Sequence, residues 1–171
     1  MFDPTIFDNL KVAFENHVYD LDNLNREIDI TNRQDLLDLS LMSREFVIEF
    51  ELVDQQEVKA EIVLEATLKD LASEILETSG ESPGCTLSVR FHMVVEDIED
   101  ECELIDEILE NIWKPDHRPA QTLRFTYGNA HNEYRNTVEV PFNHKINEDH
   151  MDQIPEFIDH VVQTLHELNE L

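Results

Sequence analysis

The chain has little of what would let it serve several common functions. It holds 3 glycines in 171 residues, so it has no glycine-rich phosphate loop and no G-x-S-x-G nucleophile turn. It holds 2 cysteines, Cys85 and Cys102, too few for a disulfide framework. Both are expected to be reduced thiols in a cytoplasmic protein. Cys102 lies among Glu99, Asp100, Glu101 and Glu103, which disfavour a thiolate and therefore a nucleophilic role. Basic residues are scarce, 12 against 39 acids, for a net charge of -27. That balance excludes non-specific nucleic-acid binding, which needs Lys and Arg to displace phosphate counterions. It equally disfavours an anionic membrane surface. No stretch approaches the roughly 18 apolar residues of a membrane span, and residues 1–10 lack the basic and apolar regions of a secretory signal.

What is present is enough apolar material to fold: 41% of residues are hydrophobic. The charge therefore sits on a chain with a core rather than on a disordered one. Helical spacing runs through Ile6, Phe7, Leu10, Phe14 and Val18, with Asp3 and Pro4 as cap and first turn. Strand alternation follows in Phe46, Ile48, Phe50 and Leu52, then in Val58, Ala60, Ile62 and Leu64, with residues 54–57 as the loop. Ile28 and Ile30 predict an earlier strand. Leu37, Leu39 and Leu41 predict another, with a short helix over 35–42 as the alternative. A second helix is expected over 67–79, opened by the Thr67–Asp70 capping box and stopped by Gly80. A strand over 87–95 and a helix from Ile98 to Lys114–Pro115 come next. Leu123, Phe125 and Tyr127 predict a strand paired with Tyr134 to Phe142, joined by a loop over 128–133. The last helix carries Ile154, Ile158, Val161, Leu165 and Leu168, with Asp152 as cap and Pro155 in its first turn.

The predicted fold class is α+β: a mainly antiparallel sheet with about four helices packed on it, in the order α, three or four β, α, β, α, ββ, α. We read residues 1–171 as a single domain, with the glycine-containing loop near residue 84 as a division between two sub-halves, 1–84 and 85–171.

Few residues point to a specific chemistry. Six of the eight histidines lie after residue 115: His117, His131, His144, His150, His160 and His166. His160 and His166 are six apart and fall on different helix faces. The pairs Glu156–His160 and His166–Glu170 supply two ligands each, where zinc takes three or four. Asp20, Asp22 and Asn25 fail as a calcium loop, because Thr31 stands where a bidentate Glu is required. No cofactor and no metal ligand set is therefore expected.

The distribution of charge says more. Residues 115–145 hold 3 acids and 4 bases, whereas residues 146–171 hold 7 acids and no base. This near-neutral hairpin region carries Arg124, Tyr127, Tyr134 and Arg135, the residue types of an interface anchor. On the earlier strands Glu45, Glu49, Glu51, Glu61 and Glu65 alternate with the core residues and should form a carboxylate-rich sheet face. Like charges then become cross-strand neighbours, which costs stability. A costly face suggests a use, and docking a basic partner is the one its charge suits. Adaptation to a salty cytoplasm accounts for the same acidity without a partner.

The expected function is a non-enzymatic, acidic protein-binding module of adaptor, chaperone, immunity or inhibitor type. It docks a basic protein surface through Glu49, Glu51, Glu61 and Glu65, with Arg124, Tyr127, Tyr134 and Arg135 as a contact edge. The alternatives are a small metal-dependent enzyme using the late histidines, and a self-assembling protein that forms a homodimer through the hairpin edge.

Overall fold

The computed structural model describes residues 5–77, 80 and 82–171. Helix α1 (Thr5–Asn23) turns Phe7, Leu10, Phe14, Val18 and Leu21 inward. The expected start at Asp3 and Pro4 lies outside the described residues. Strands β1 (Ile28–Asp38), β2 (Ser43–Leu52) and β3 (Lys59–Ala66) follow, then α2 (Leu68–Leu76), β4 (Thr86–Val95), α3 (Ile98–Trp113), β5 (Ala120–Arg124), β6 (Tyr134–Pro141) and α4 (Ile154–Asn169). All pairings are antiparallel, and the sheet order is β1-β2-β3-β4-β6-β5. The chain thus adopts the α+β class that its alternation predicts.

One face of the sheet is apolar along every central strand. Phe46, Ile48, Phe50, Ile62, Leu64, Val89, Phe91, Val138 and Val140 are all fully buried there. They join the inward residues of α1, α3 and α4 in one hydrophobic cluster. That cluster draws on residues from both sides of the loop near residue 84, and β3 pairs with β4 across it. Gly84 is needed at this crossing, because a Cβ there would lie 2.7 Å from the Ile146 carbonyl oxygen. That contact flanks the bridge between Cys85 and Ile146. Trp113, Phe142 and Phe157 meet edge to face at 5.3 to 5.6 Å where α3 reaches α4. The indole N–H of Trp113 donates to the buried Thr164 hydroxyl at 3.0 Å, so this interior donor is satisfied.

Several predicted boundaries move. Neither a separate strand at Leu37, Leu39 and Leu41 nor a helix over 35–42 forms. β1 runs unbroken to Asp38, with a bulge between Ile30 and Asn32, and Leu39 and Leu41 fall in the turn. The Asp38 carboxylate closes that turn by accepting from the backbone N–H groups of Ser40 and Leu41 and from the Ser40 hydroxyl. The outer half of β1 is held to α1 by ion pairs, Lys11 to Asp35 at 2.7 Å and Arg33 to Glu15 at 2.5 Å. The helix expected over 67–79 ends at Leu76, because Glu77 takes the left-handed conformation at φ 47°. β5 ends at Arg124 rather than including Phe125 and Tyr127. Residues 126–129 form a turn closed by the Asn129 N–H on the Thr126 carbonyl, with Gly128 at φ +82°. Asp152 does not cap α4. It lies in a 3₁₀ turn, Glu148–Gln153, that leads straight into the helix and is itself capped by Asn147 and His150.

The cap of α2 has a measurable consequence. Asp70 accepts from the Thr67 backbone and hydroxyl, both at 2.9 Å, and pairs with Lys145 from the far end of the chain. Burial raises its pKa, but the Lys145 ammonium and the Thr67 donors outweigh burial and hold the carboxyl below its ordinary 3.8. A depressed carboxyl stabilises the fold above its unfolded pKa and loses that contribution as pH falls through the folded one. Asp70→Ala should lower stability by about 1–2 kcal/mol at pH 7, the scale of a lost cap. Urea denaturation should show the gap from wild type narrowing below pH 4, on the order of the unfolded carboxyl pKa.

Candidate functional site on the open face of the sheet

Every helix of the fold packs on the apolar face of the sheet, so the opposite face is left uncovered. The period of two along each strand places the alternate residues there. The register arranges them in rows. Glu45 lies directly opposite Glu65, and Glu49 opposite Glu61, between β2 and β3. The Glu49–Glu61 row continues to Arg90 on β4 and Glu139 on β6. In the next row Glu51, Lys59, His92, Thr137 and Thr122 are successive neighbours. At the far corner Arg135 faces Arg124.

The like-charged neighbours expected from the alternation are therefore realised, but they do not all have the same surroundings. Glu49, Glu51 and Glu61 are crowded, with side chains 16%, 13% and 16% exposed. Cations stand between them. The Lys59 ammonium is 3.8 Å from both Glu49 and Glu51, and the Arg90 guanidinium is 3.8 Å from Glu61 and 3.1 Å from Glu139. Thr31 donates its hydroxyl proton to Glu49 at 2.6 Å. The His92 imidazole, with Nε2 3.2 Å from Glu61, holds the Glu61 carboxyl below its ordinary range, against the opposing effect of burial. Glu45 and Glu65 differ: among the described residues neither has an ion-pair or hydrogen-bond partner. Above them Val47 and Val63 are paired across the strands and, at 5% and 3% exposed, are buried among the flanking side chains.

The four residues expected to make a contact edge do not come together. Arg124 and Arg135 share the open face and line a groove of about 880 Å³ with Lys59, His92 and Phe125. Neither arginine has an ion-pair partner among the described residues. Tyr127 stands at the corner of the 126–129 turn, 97% exposed. Tyr134 turns to the opposite side of the sheet, where it packs on the core and meets Phe125 edge to face at 6.1 Å. Tyr134 and Arg135 are adjacent in sequence, so one strand cannot present both to the same face.

The open face is thus polarised along its diagonal. Two unpaired carboxylates occupy one corner and two unpaired guanidinium groups the other, with a mixed network between. At about 3.4 Å per residue and about 4.8 Å per strand, the corners are roughly 30 Å apart. The helical side has a different character. α3 carries seven carboxylates and no base, and three of them, Glu99, Asp100 and Glu101, lie in its first turn, where the helix dipole favours them.

Among the described residues, neither the thiols nor the late histidines join a group of three metal-ligating side chains. Both cysteines are free. Burial, reinforced by Asp70 and Glu74, pushes the Cys85 thiol up to about 12. Burial with Asp106 and Glu101 raises that of Cys102. His160 packs against Trp113, His150 caps the 3₁₀ turn, and His166 lies 3.7 Å from Glu27. Among the described residues, the one group of three whose donor atoms lie within 4.8 Å of one another is Glu49, Glu61 and His92. His92, Lys59, Arg90 and Thr137 were not singled out in the sequence. Their signal was the polar phase of the alternation: Lys59 with Glu61 on β3, Ser88, Arg90 and His92 on β4, and Thr137 with Glu139 on β6.

Comparison with family models, with curated proteins and with solved structures finds no match to this chain.

Cross-strand repulsion at the free carboxylate corner predicts an unusual substitution. Glu65→Lys converts Glu45 and residue 65 into an opposite-charge pair and should raise stability by about 0.2–1 kcal/mol. A rise in the urea midpoint with unchanged slope is the expected result.

Proposed function

We propose that the chain is a non-enzymatic binding module that docks a basic protein surface on the open face of its sheet. The observation that carries this reading is the Glu45–Glu65 pair, two carboxylates set directly opposite each other without a counter-charge among the described residues. Acids at a helix start are stabilised by the dipole, and acids on a solvated helix cost little. Like charges opposed across two interior strands cost stability. On α3 the like-charged i, i+4 neighbours are solvated and cost only about 0.2–0.5 kcal/mol each, less than the upper range of about 1 kcal/mol for directly opposed strand residues.

In this reading Glu45 and Glu65 are the primary contact, and Glu49, Glu51 and Glu61 extend it along β2 and β3. Val47 and Val63 lie buried between these rows and pack the face from within, and Lys or Arg side chains of the partner complete the unpaired carboxylates. Arg124, Arg135 and Tyr127 form a second corner that sets the orientation of the partner. It repels the partner's basic surface and attracts acidic groups beside it, so it contributes specificity more than affinity. The two free thiols suit a reducing compartment, the cytoplasm expected for an adaptor, chaperone or inhibitor of this kind.

The test compares two double charge reversals of equal magnitude. Glu45→Lys with Glu65→Lys should weaken low-salt capture of basic proteins roughly tenfold, about 1.4 kcal/mol. Glu103→Lys with Glu107→Lys, on the exposed side of α3, should leave it nearly unchanged. Equal losses in both variants would show that overall charge, not the open face, does the binding.

A further inference from the structure

We propose that Glu49, Glu61 and His92 form a binding site for a single divalent transition-metal cation, of which zinc is the probe ion. The inference shares Glu49 and Glu61 with the margin of the basic-partner contact, but it is carried by His92 and its readouts need no partner. The three residues come from three neighbouring strands. Glu49 and Glu61 are directly opposite on β2 and β3, and His92 is diagonal to Glu61 on β4. One donor atom from each lies within 4.8 Å of the other two. Two carboxylate oxygens and one imidazole nitrogen form the three-ligand set of an open zinc site, with donor bonds of about 2.0–2.2 Å and a fourth position left for water.

Three further features favour a cation here rather than an accidental meeting of side chains. The first is the histidine. Its Nδ1 lies 3.2 Å from the Thr137 hydroxyl, which fixes the ring from behind. Its Nε2 is enclosed and has no hydrogen-bond partner, although it lies 3.2 Å from Glu61. A ring held through Nδ1 with an unused Nε2 directed at carboxylates is the arrangement of a ligating histidine with its outer partner. The second is charge. Glu49, Glu51, Glu61 and Glu139 meet two fixed cations, Lys59 and Arg90, so four carboxylates are set against two permanent positive charges. A divalent ion offsets that excess. The third is access. His92 and Lys59 line the 880 Å³ groove, and the Lys59 side chain is 42% exposed. Its flexible stem can swing out as an ion enters.

The site differs from the metal chemistry expected of the late histidines, none of which takes part. A bound ion would neutralise Glu49 and Glu61 and remove the Glu49–Glu61 repulsion, so it should also stiffen the sheet.

Zinc and, separately, manganese are titrated into the full chain after chelator treatment, with calorimetric stoichiometry and the thermal unfolding midpoint as readouts. The expected result is one equivalent of zinc bound, with a raised midpoint. His92→Gln should weaken binding at least about tenfold, and Thr137→Val, which touches no ion, should weaken it by about 10-fold or more through the ring. His131→Gln, on an exposed loop, should bind as wild type. Circular dichroism confirms that each variant is folded. Zinc held equally well by wild type, His92→Gln and Thr137→Val would overturn the proposal, as would no binding to wild type or diffuse binding of several equivalents.

Discussion

The antiparallel pairing of β2 with β3 sets the terms for the rest of the molecule. It places Phe46, Ile48 and Phe50 against Leu64, Ile62 and Ala60 on one face, and by the same register places Glu45 and Glu49 against Glu65 and Glu61 on the other. The apolar side recruits all four helices. The acidic side is left bare, and its repulsions must be met by neighbouring strands, by solvent or by something from outside. A shift of one residue would bury the glutamates and expose the phenylalanines, so the burial that fixes the register also fixes the carboxylate pairs.

The neighbouring strands meet part of that demand. β3 contributes Lys59 and β4 contributes Arg90 and His92, and these bring counter-charge or a polar neighbour to Glu49, Glu51 and Glu61. The supply stops short of Glu45 and Glu65, whose row continues to Thr86. At the other end the sheet has the opposite excess, with Arg124 facing Arg135. Among the described residues, seven of the chain's few bases form internal ion pairs: Lys11, Arg33, Arg44, Lys59, Arg90, Arg118 and Lys145. Arg124 and Arg135 are not among them, and the sheet register sets the two against each other.

Much of the fold was legible in the sequence because the two periodicities are clean. The alternation of Phe46 to Leu52 and of Ala60 to Leu64 gave the central hairpin, and Thr67 with Asp70 gave the cap of α2. Turn chemistry was harder to read. Asp38, Glu77 and Gly128 end or bend elements through local hydrogen bonds and positive φ, which apolar spacing does not report. The acidic face was legible as an alternation, and its like-charged neighbours followed from the hairpin. The cations and His92 among them were not, because β4 meets β3 only after a helix and a loop, and no local pattern sets that register. Tyr134 misled for a simpler reason: its composition suited an interface, but its phase on β6 sends it to the core.

The central claim is that the open face of the sheet, rather than the more densely acidic helical side, is the working surface. Amide chemical-shift mapping of the isotopically labelled chain with a lysine-rich peptide tests it most directly. The account predicts that shifts at low salt concentrate on β2 and β3 around Glu45, Glu49, Glu61 and Glu65, and fade as salt screens the contact. Shifts concentrated on α3, with the strands unmoved, would contradict it.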